Sequence, residues 1–298
     1  MNASKPVEQP AEQPKSRRAR WPLIAAAVAV VTPLLIILGG ATALSFPHPG
    51  RAGKVYSTPA DHGLQVTQVQ IDRTPAWWFP NPDAEHAILV CHGRSRNRSW
   101  MLPMIARLAP TYSVLAIEFP HHGDDGWGLS SVGPREAADV HRGIDFLEAQ
   151  GEDSIGVYGI SMGGAAAVFA LSGLHRDSVK GLVTDGTYAR LSEVASSNAE
   201  RFGLPTVLLS PTLAVAGWMN DMRYSEVNPE EQAAHLKMPF LAIHGAHDPL
   251  APTTSAARLA AANPDLGQSF LYPGGHDEPF NPLVGELVEA FFQQLTSE

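Results

Sequence analysis

Three side chains capable of acyl chemistry are spread across this sequence, each set among glycines. Ser161 lies in Gly159-Ile160-Ser161-Met162-Gly163, the G-x-S-x-G pattern in which a strand reverses into a helix around an outward hydroxyl. So tight a reversal forces the serine into strained backbone, and the glycines remove Cβ atoms that would collide. A serine hydroxyl is a poor nucleophile at neutral pH. It needs an imidazole within hydrogen-bond reach, and a carboxylate to fix that imidazole's tautomer. Downstream, Gly245-Ala246-His247-Asp248-Pro249 supplies Asp248, and Pro273-Gly274-Gly275-His276-Asp277 supplies His276. Asp185, in Val183-Thr184-Asp185-Gly186, is the alternative acid. Upstream, in Val90-Cys91-His92-Gly93-Arg94, Gly93 lets backbone approach a reacting carbonyl. The oxyanion donors expected are therefore the backbone N–H groups of Arg94 and of Met162, the residue after the nucleophile.

Other residues invite chemistry less strongly. His121-His122-Gly123-Asp124-Asp125 crowds two imidazoles and two carboxylates together, yet is read as a loop, with no metal and no organic cofactor expected. Cys91 is the single cysteine and sits in an apolar run, which suits a small buried hydrophobe. Arg94, Arg96 and Arg98 either meet an anionic group on a substrate or are solvated. His244 and His247 are read as core or hydrogen-bonding residues.

Positioning a serine, an acid and a histidine on successive loops requires parallel strands ending at one edge. Buried-type runs at 87–91, 113–118, 155–158, 179–184, 240–244 and 268–272 alternate with helical patterns at 100–108, 136–149, 165–171, 254–262 and 283–295. That alternation predicts βαβ units and a doubly wound, mostly parallel sheet. The run 64–71 and the pair Trp77 and Trp78 suggest earlier strands, and no internal repeat is visible. The stretch of about 186–238 is too long for a connection and is expected to hold one standard helix plus a short helical cap over the serine.

Of 21 basic and 30 acidic residues, the first 20 positions hold five and two and positions 21–46 none, leaving 16 and 28 beyond, a net charge of −12. So acidic a domain excludes nucleic acid as a natural partner. Residues 1–20 read as a disordered cytoplasmic leader ending in Lys15, Arg17, Arg18 and Arg20. The uncharged stretch 21–46 is long enough for a transmembrane anchor with the catalytic domain outside the cytoplasm. The alternative is a secretory signal, with Ala41-Thr42-Ala43 as a small-residue cleavage site. Residues 47–63, rich in Pro and Gly, read as a linker, and 64–298 as the domain.

Taken together, His92-Gly93, the elbow at Ser161, the acid loop 245–249 and Gly275-His276 resemble the α/β-hydrolase superfamily, in its serine-hydrolase branch of esterases, monoglyceride-lipase-like and serine-aminopeptidase-like proteins. The resemblance covers roughly 64–295. It implies that Ser161 attacks a carbonyl carbon, His276 moves the proton, Asp248 orients His276, and water resolves an acyl-enzyme. The expected function is a membrane-tethered serine hydrolase acting on small-molecule carboxylic esters. A peptidase or an acyltransferase would share the chemistry, and a non-catalytic tethered binding protein would share only the fold. Activity should fall as pH drops through the histidine range, ordinarily about 6.5. Glu118-Phe119-Pro120 and Arg94 depart from the family's usual residues.

Overall fold

The computed structural model describes residues 21–123, 128–276, 278 and 281–295. The leader 1–20, Asp124, Asp125 and Asp277 lie outside the described residues.

Alternation within the strands builds the frame. Eight strands form one sheet in the order β1-β2-β4-β3-β5-β6-β7-β8. β1 (Thr67–Ile71) and β2 (Thr74–Phe79) are an antiparallel hairpin, and β2 pairs antiparallel with β4 (Ser113–Ile117). β3 (Ala87–Cys91), β4, β5 (Ile155–Ile160), β6 (Val179–Asp185), β7 (Phe240–Gly245) and β8 (Gly267–Tyr272) run parallel. β3, β4, β5 and β7 are buried along their whole length, as strands covered on both faces must be. Leu89 and Cys91 of β3 join Val140 and Ile144 of α4 (Ala137–Ala149) and Val168 of α5 (Met162–Leu171) in one core. Ile88 and Val90 point the other way, joining Ile105 of α3 (Leu102–Leu108) with Val288 and Phe292 of α10 (Pro282–Leu295). The expected mostly parallel sheet is therefore present, with an antiparallel pair at one edge.

Between β6 and β7 the chain forms α6 (Leu191–Arg201), α7 (Leu209–Asn220) and α8 (Pro229–Ala233), joined through 3₁₀ turns. After β7 comes α9 (Ser255–Ala262).

The N-terminal helix α1 (Trp21–Ser45) is uncharged over 25 residues. It is long and apolar enough to cross a membrane by length and composition, about 38 Å at 1.5 Å per residue. Its first turns are exposed, with Leu23 at 72%, whereas Ala41 and Ser45 are fully buried. The last turns pack on α7. A Cβ at Gly40 would stand 2.9 Å from Thr212 Cγ2, so glycine is what allows this approach. Residues 47–63, expected as a linker, lie against the domain. They include α2 (Pro49–Ala52) and a capped 3₁₀ turn at Pro59–His62. Asn97 Nδ2 donates to the carbonyls of Ala52 and Lys54, each at 2.8 Å, so the docking is specific.

Candidate active site

Ser161 closes β5 and opens α5 with φ 52° and ψ −113°, a backbone region that a serine adopts only when its surroundings enforce it. Those surroundings are visible. Ser161 N–H donates to the Asp185 carbonyl at 2.7 Å, and a Cβ at Gly159 would come within 2.6 Å of Gly164 N. The reversal thus brings two backbone segments too close for any side chain at 159, and the hydroxyl is left facing a cavity.

The loops after β7 and β8 deliver the partners. His276 Nδ1 lies 2.6 Å from Asp248 Oδ2, and His276 Nε2 lies 3.0 Å from Ser161 Oγ. A carboxylate can only accept, so Nδ1 carries the proton, and Nε2 is left as the acceptor for the serine hydroxyl. Asp248 is well anchored: Oδ1 accepts from Leu250 N–H at 2.7 Å and Ala251 N–H at 3.1 Å. His244 Nε2 approaches Oδ2 at 2.8 Å. Burial alone would raise the Asp248 carboxyl, but the imidazoles of His244 and His276 beside it, with the Leu250 N–H, hold it well below the usual carboxylate range. The side chain is fully buried, and His276 is 12% exposed.

The sequence candidates separate accordingly. Ser161, His276 and Asp248 are brought together. Asp185 is buried between two phenols, accepting from Tyr158 and Tyr272 hydroxyls at 3.3 Å each, while His276 Nδ1 is directed to Asp248. Gly93 approaches the elbow closely enough that a Cβ there would stand 3.6 Å from Ser161 Cβ, which puts the backbone of Arg94 beside Ser161. Met162 follows Ser161 at the first turn of α5 and is buried.

The loop bearing Gly93 is fixed from several sides. His92 Nδ1–H donates to the Gly93 carbonyl at 2.8 Å, and its Nε2 lies 3.0 Å from Phe119 N and 2.9 Å from Glu118 Oε1. His122 Nδ1–H donates to Pro120 O at 2.9 Å, and its Nε2 accepts from Ser95 N–H at 3.1 Å. Both nitrogens of His122 are thereby occupied, and among the described residues no group of three or more His, Cys, Asp or Glu is placed to hold a metal. Cys91 is buried in β3, and burial pushes its thiol up, leaving it an inert core residue.

The arginine cluster turns to protein partners. Arg94 Nη2 donates to the carbonyls of Ala43 at 2.7 Å, Leu44 at 3.0 Å and Phe46 at 2.6 Å. It is partly buried, and desolvation lowers its pKa, offset in part by Tyr224, Glu136 and Tyr188. Arg96 donates to Tyr56 Oη at 3.1 Å and stacks 4.3 Å from the Trp100 ring centre. Arg98 pairs with Glu118 at 3.5 Å and lies over Trp77.

Ser161 and His276 share a cavity of about 460 Å³ with Gly93, Tyr188, cap residues and part of α1, and Arg51, Arg94 and Arg96 also stand in its wall. A larger depression of about 790 Å³ on α7 includes none of Ser161, His276 or Asp248, so the candidate site belongs to the smaller cavity. The contribution of α1 to this wall, and the clamp of Arg94 on its end, had no readable signal in the sequence beyond the small residues Gly39, Gly40 and Ala41.

Comparison with known proteins bears on the family and the fold. Residues 88–296 match the Alpha/beta hydrolase family. A stretch of 111 residues, 37% of the chain, is 30% identical to a pimeloyl-[acyl-carrier protein] methyl ester esterase of Neisseria meningitidis, and spans only 40% of that protein. An uncharacterised protein of Mycobacterium tuberculosis is 28% identical over 245 residues, covering 78% of this chain and 79% of its own. In structure, an esterase of Pyrococcus furiosus superposes with a TM-score of 0.66 at 22% identity, over 80% of this chain and 94% of that one. A membrane phospholipase A superposes with a TM-score of 0.58 at 18% identity, over 94% and 98%; at such identities the likeness is one of fold. With the family match covering most of the chain, this protein belongs to the alpha/beta hydrolase family.

Proposed function

We propose that this protein is a membrane-tethered serine hydrolase that cleaves carboxylic esters. The observation that carries the proposal is the line Asp248–His276–Ser161, at 2.6 and 3.0 Å, set on a strained elbow that faces an apolar cavity. Ser161 Oγ adds to the ester carbonyl carbon while its proton passes to His276 Nε2. The carbonyl oxygen becomes an oxyanion, received by the N–H groups of Arg94 and Met162. The C–O bond to the alcohol then breaks, and the alcohol leaves with the proton from His276. Water, giving a proton to His276, attacks the acyl-serine; the acid departs and Ser161 recovers its proton. Asp248 keeps Nδ1 protonated and stabilises the imidazolium. These steps use groups of this chain and one water molecule.

The cavity also favours an ester over a peptide with a free amino terminus. No Asp or Glu stands among the described residues of its wall, and Glu193 of the neighbouring α6 is bound to Arg258 at 2.6 Å. Burial of Ala41 and Ser45, and the bonds from Arg94 to the end of α1, favour a retained anchor over a cleaved signal. The basic residues before α1 favour a cytoplasmic amino terminus, with the hydrolase domain on the far side.

Purified full-length protein assayed against p-nitrophenyl esters and aminoacyl p-nitroanilides tests the reading. Ester turnover well above amide turnover is expected; the reverse preference would replace it with a peptidase.

A further inference from the structure

The cavity at Ser161 is built in an unusual way: one of its walls is the helix that would cross the membrane. Ile36, Gly40, Ala43 and Leu44 of α1 line it. Their spacing of i, i+4, i+7 and i+8 puts them on one helical face. Opposite them stand apolar residues of α6 and α7, including Val194, Ala199 and Leu209, and the same cavity contains Ser161 and His276. Its volume of about 460 Å³ suits a small-molecule ligand, for which roughly 300–1,000 Å³ is usual.

Three observations fix what kind of ligand this is. First, the cavity reaches the surface among apolar residues: Phe202 and Leu204 line it and are 69% and 37% exposed. Val207 and Trp218, on the same cap, are 77% and 82% exposed. Large apolar groups left bare on one inserted segment suit a surface that meets another apolar phase, and tryptophan is favoured where hydrocarbon meets headgroups. Second, the depth agrees. Trp21 to Gly40 spans 20 residues, about 30 Å of helix, which is the hydrocarbon thickness of a bilayer. A bilayer entered at Trp21 would therefore end near Gly40, the point where α1 touches Thr212 of α7, and would meet the cap there. Third, the wall is locked to the chemistry. Arg94 closes the C-terminal carbonyls of α1 from the loop that approaches Ser161, a position where a cation also complements the helix dipole.

We propose that α1 is a wall of the substrate channel as well as a tether: the cleft between α1 and the α6–α7 cap takes the long acyl chain of a bilayer-resident ester, which reaches Ser161 from the membrane. This rests on the ester-hydrolase reading above and adds the substrate class and its route. A short-chain ester occupies only the region around Ser161, whereas a long chain must lie along Ile36 and Ala43.

The test uses full-length protein in phosphatidylcholine vesicles loaded with 4-methylumbelliferyl butyrate or palmitate. Ala43→Phe and Ile36→Trp narrow the channel from α1 at two levels. Wild type is expected to hydrolyse both esters. The palmitate-to-butyrate ratio of kcat/KM should fall about tenfold or more in at least one variant, the scale on which an apolar pocket discriminates by size. A smaller change in both variants, whether both activities persist or are lost in step, overturns the channel. So does a wild type that takes butyrate but not palmitate. A wild type that takes neither ester overturns instead the ester-hydrolase reading on which the channel depends.

Discussion

The elbow and the α1–cap cleft open onto the same cavity but are held by opposite means. At the elbow every group is fixed by short polar contacts, strained backbone and close packing: Ser161 is held by Asp185 O, His276 by Asp248, and Asp248 by two N–H groups and His244. In the cleft, apolar side chains meet across small residues, many of them partly exposed, and polar bonds are concentrated at the Arg94 end. On the proposed function, the difference separates two tasks. Proton transfer requires geometry good to a fraction of an ångström, whereas selecting an acyl chain requires only shape and dryness.

If this division holds, substitutions at the elbow abolish turnover and substitutions in the cleft redistribute it among substrates. The largest effect is expected from Ser161→Ala, which should lower ester turnover by about 10⁶-fold, as loss of a nucleophile does elsewhere, with folding unchanged by circular dichroism. Asp248→Asn should lower kcat by about 10⁴-fold by favouring the wrong imidazole tautomer. Asp185→Asn should leave most of the turnover and register in thermal unfolding, since its carboxylate accepts from Tyr158 and Tyr272. Equal losses from the two would dissolve the distinction between them.

Arg94→Met probes the junction of the two regions. It strips donors from three carbonyls at the end of α1 and is expected to cost about 1–3 kcal/mol of stability, measured by denaturant unfolding in detergent, together with a fall in kcat. Arg94→Lys should restore part of both. The smallest effect is on acid stability. Asp248 has its carboxyl pKa depressed below the ordinary 3.8, so its contribution is fully present above that value and is lost as pH falls through the lower folded value. Asp248→Asn should therefore flatten the acid limb of the unfolding curve below pH ~4, where wild type loses stability.

The elbow was legible in the sequence because its demands are local. A strand that reverses in one residue needs glycine beside it, and the acid and histidine follow strand-like runs in chain order, so Ser161, Asp248 and His276 were all nameable. Asp185 stayed open because it too follows a strand; only the three-dimensional placement of Tyr158 and Tyr272 gives its carboxylate another task. The parallel strands were readable from their buried runs, while the pairing of β2 with β4 was not, because pairing partners far apart in sequence leave no periodic signal. The docking of α1 was hidden for a different reason. Hydropathy is alike for a helix wholly in lipid and one whose last turns pack on a cap, and Ala41-Thr42-Ala43 resembles a cleavage site whether or not Ala41 is buried. Arg94, read for its backbone N–H, spends its side chain on carbonyls some 50 residues away, a contact no spacing rule anticipates.

The central claim, that Ser161 is a nucleophile activated by His276, is tested most directly by reacting folded full-length protein with a fluorophosphonate and mapping the adduct by peptide mass spectrometry. One adduct on Ser161, absent from Ser161→Ala and strongly slowed in His276→Ala, is predicted. Wild-type protein that folds but takes no label, or that is labelled equally well in Ser161→Ala, would contradict it.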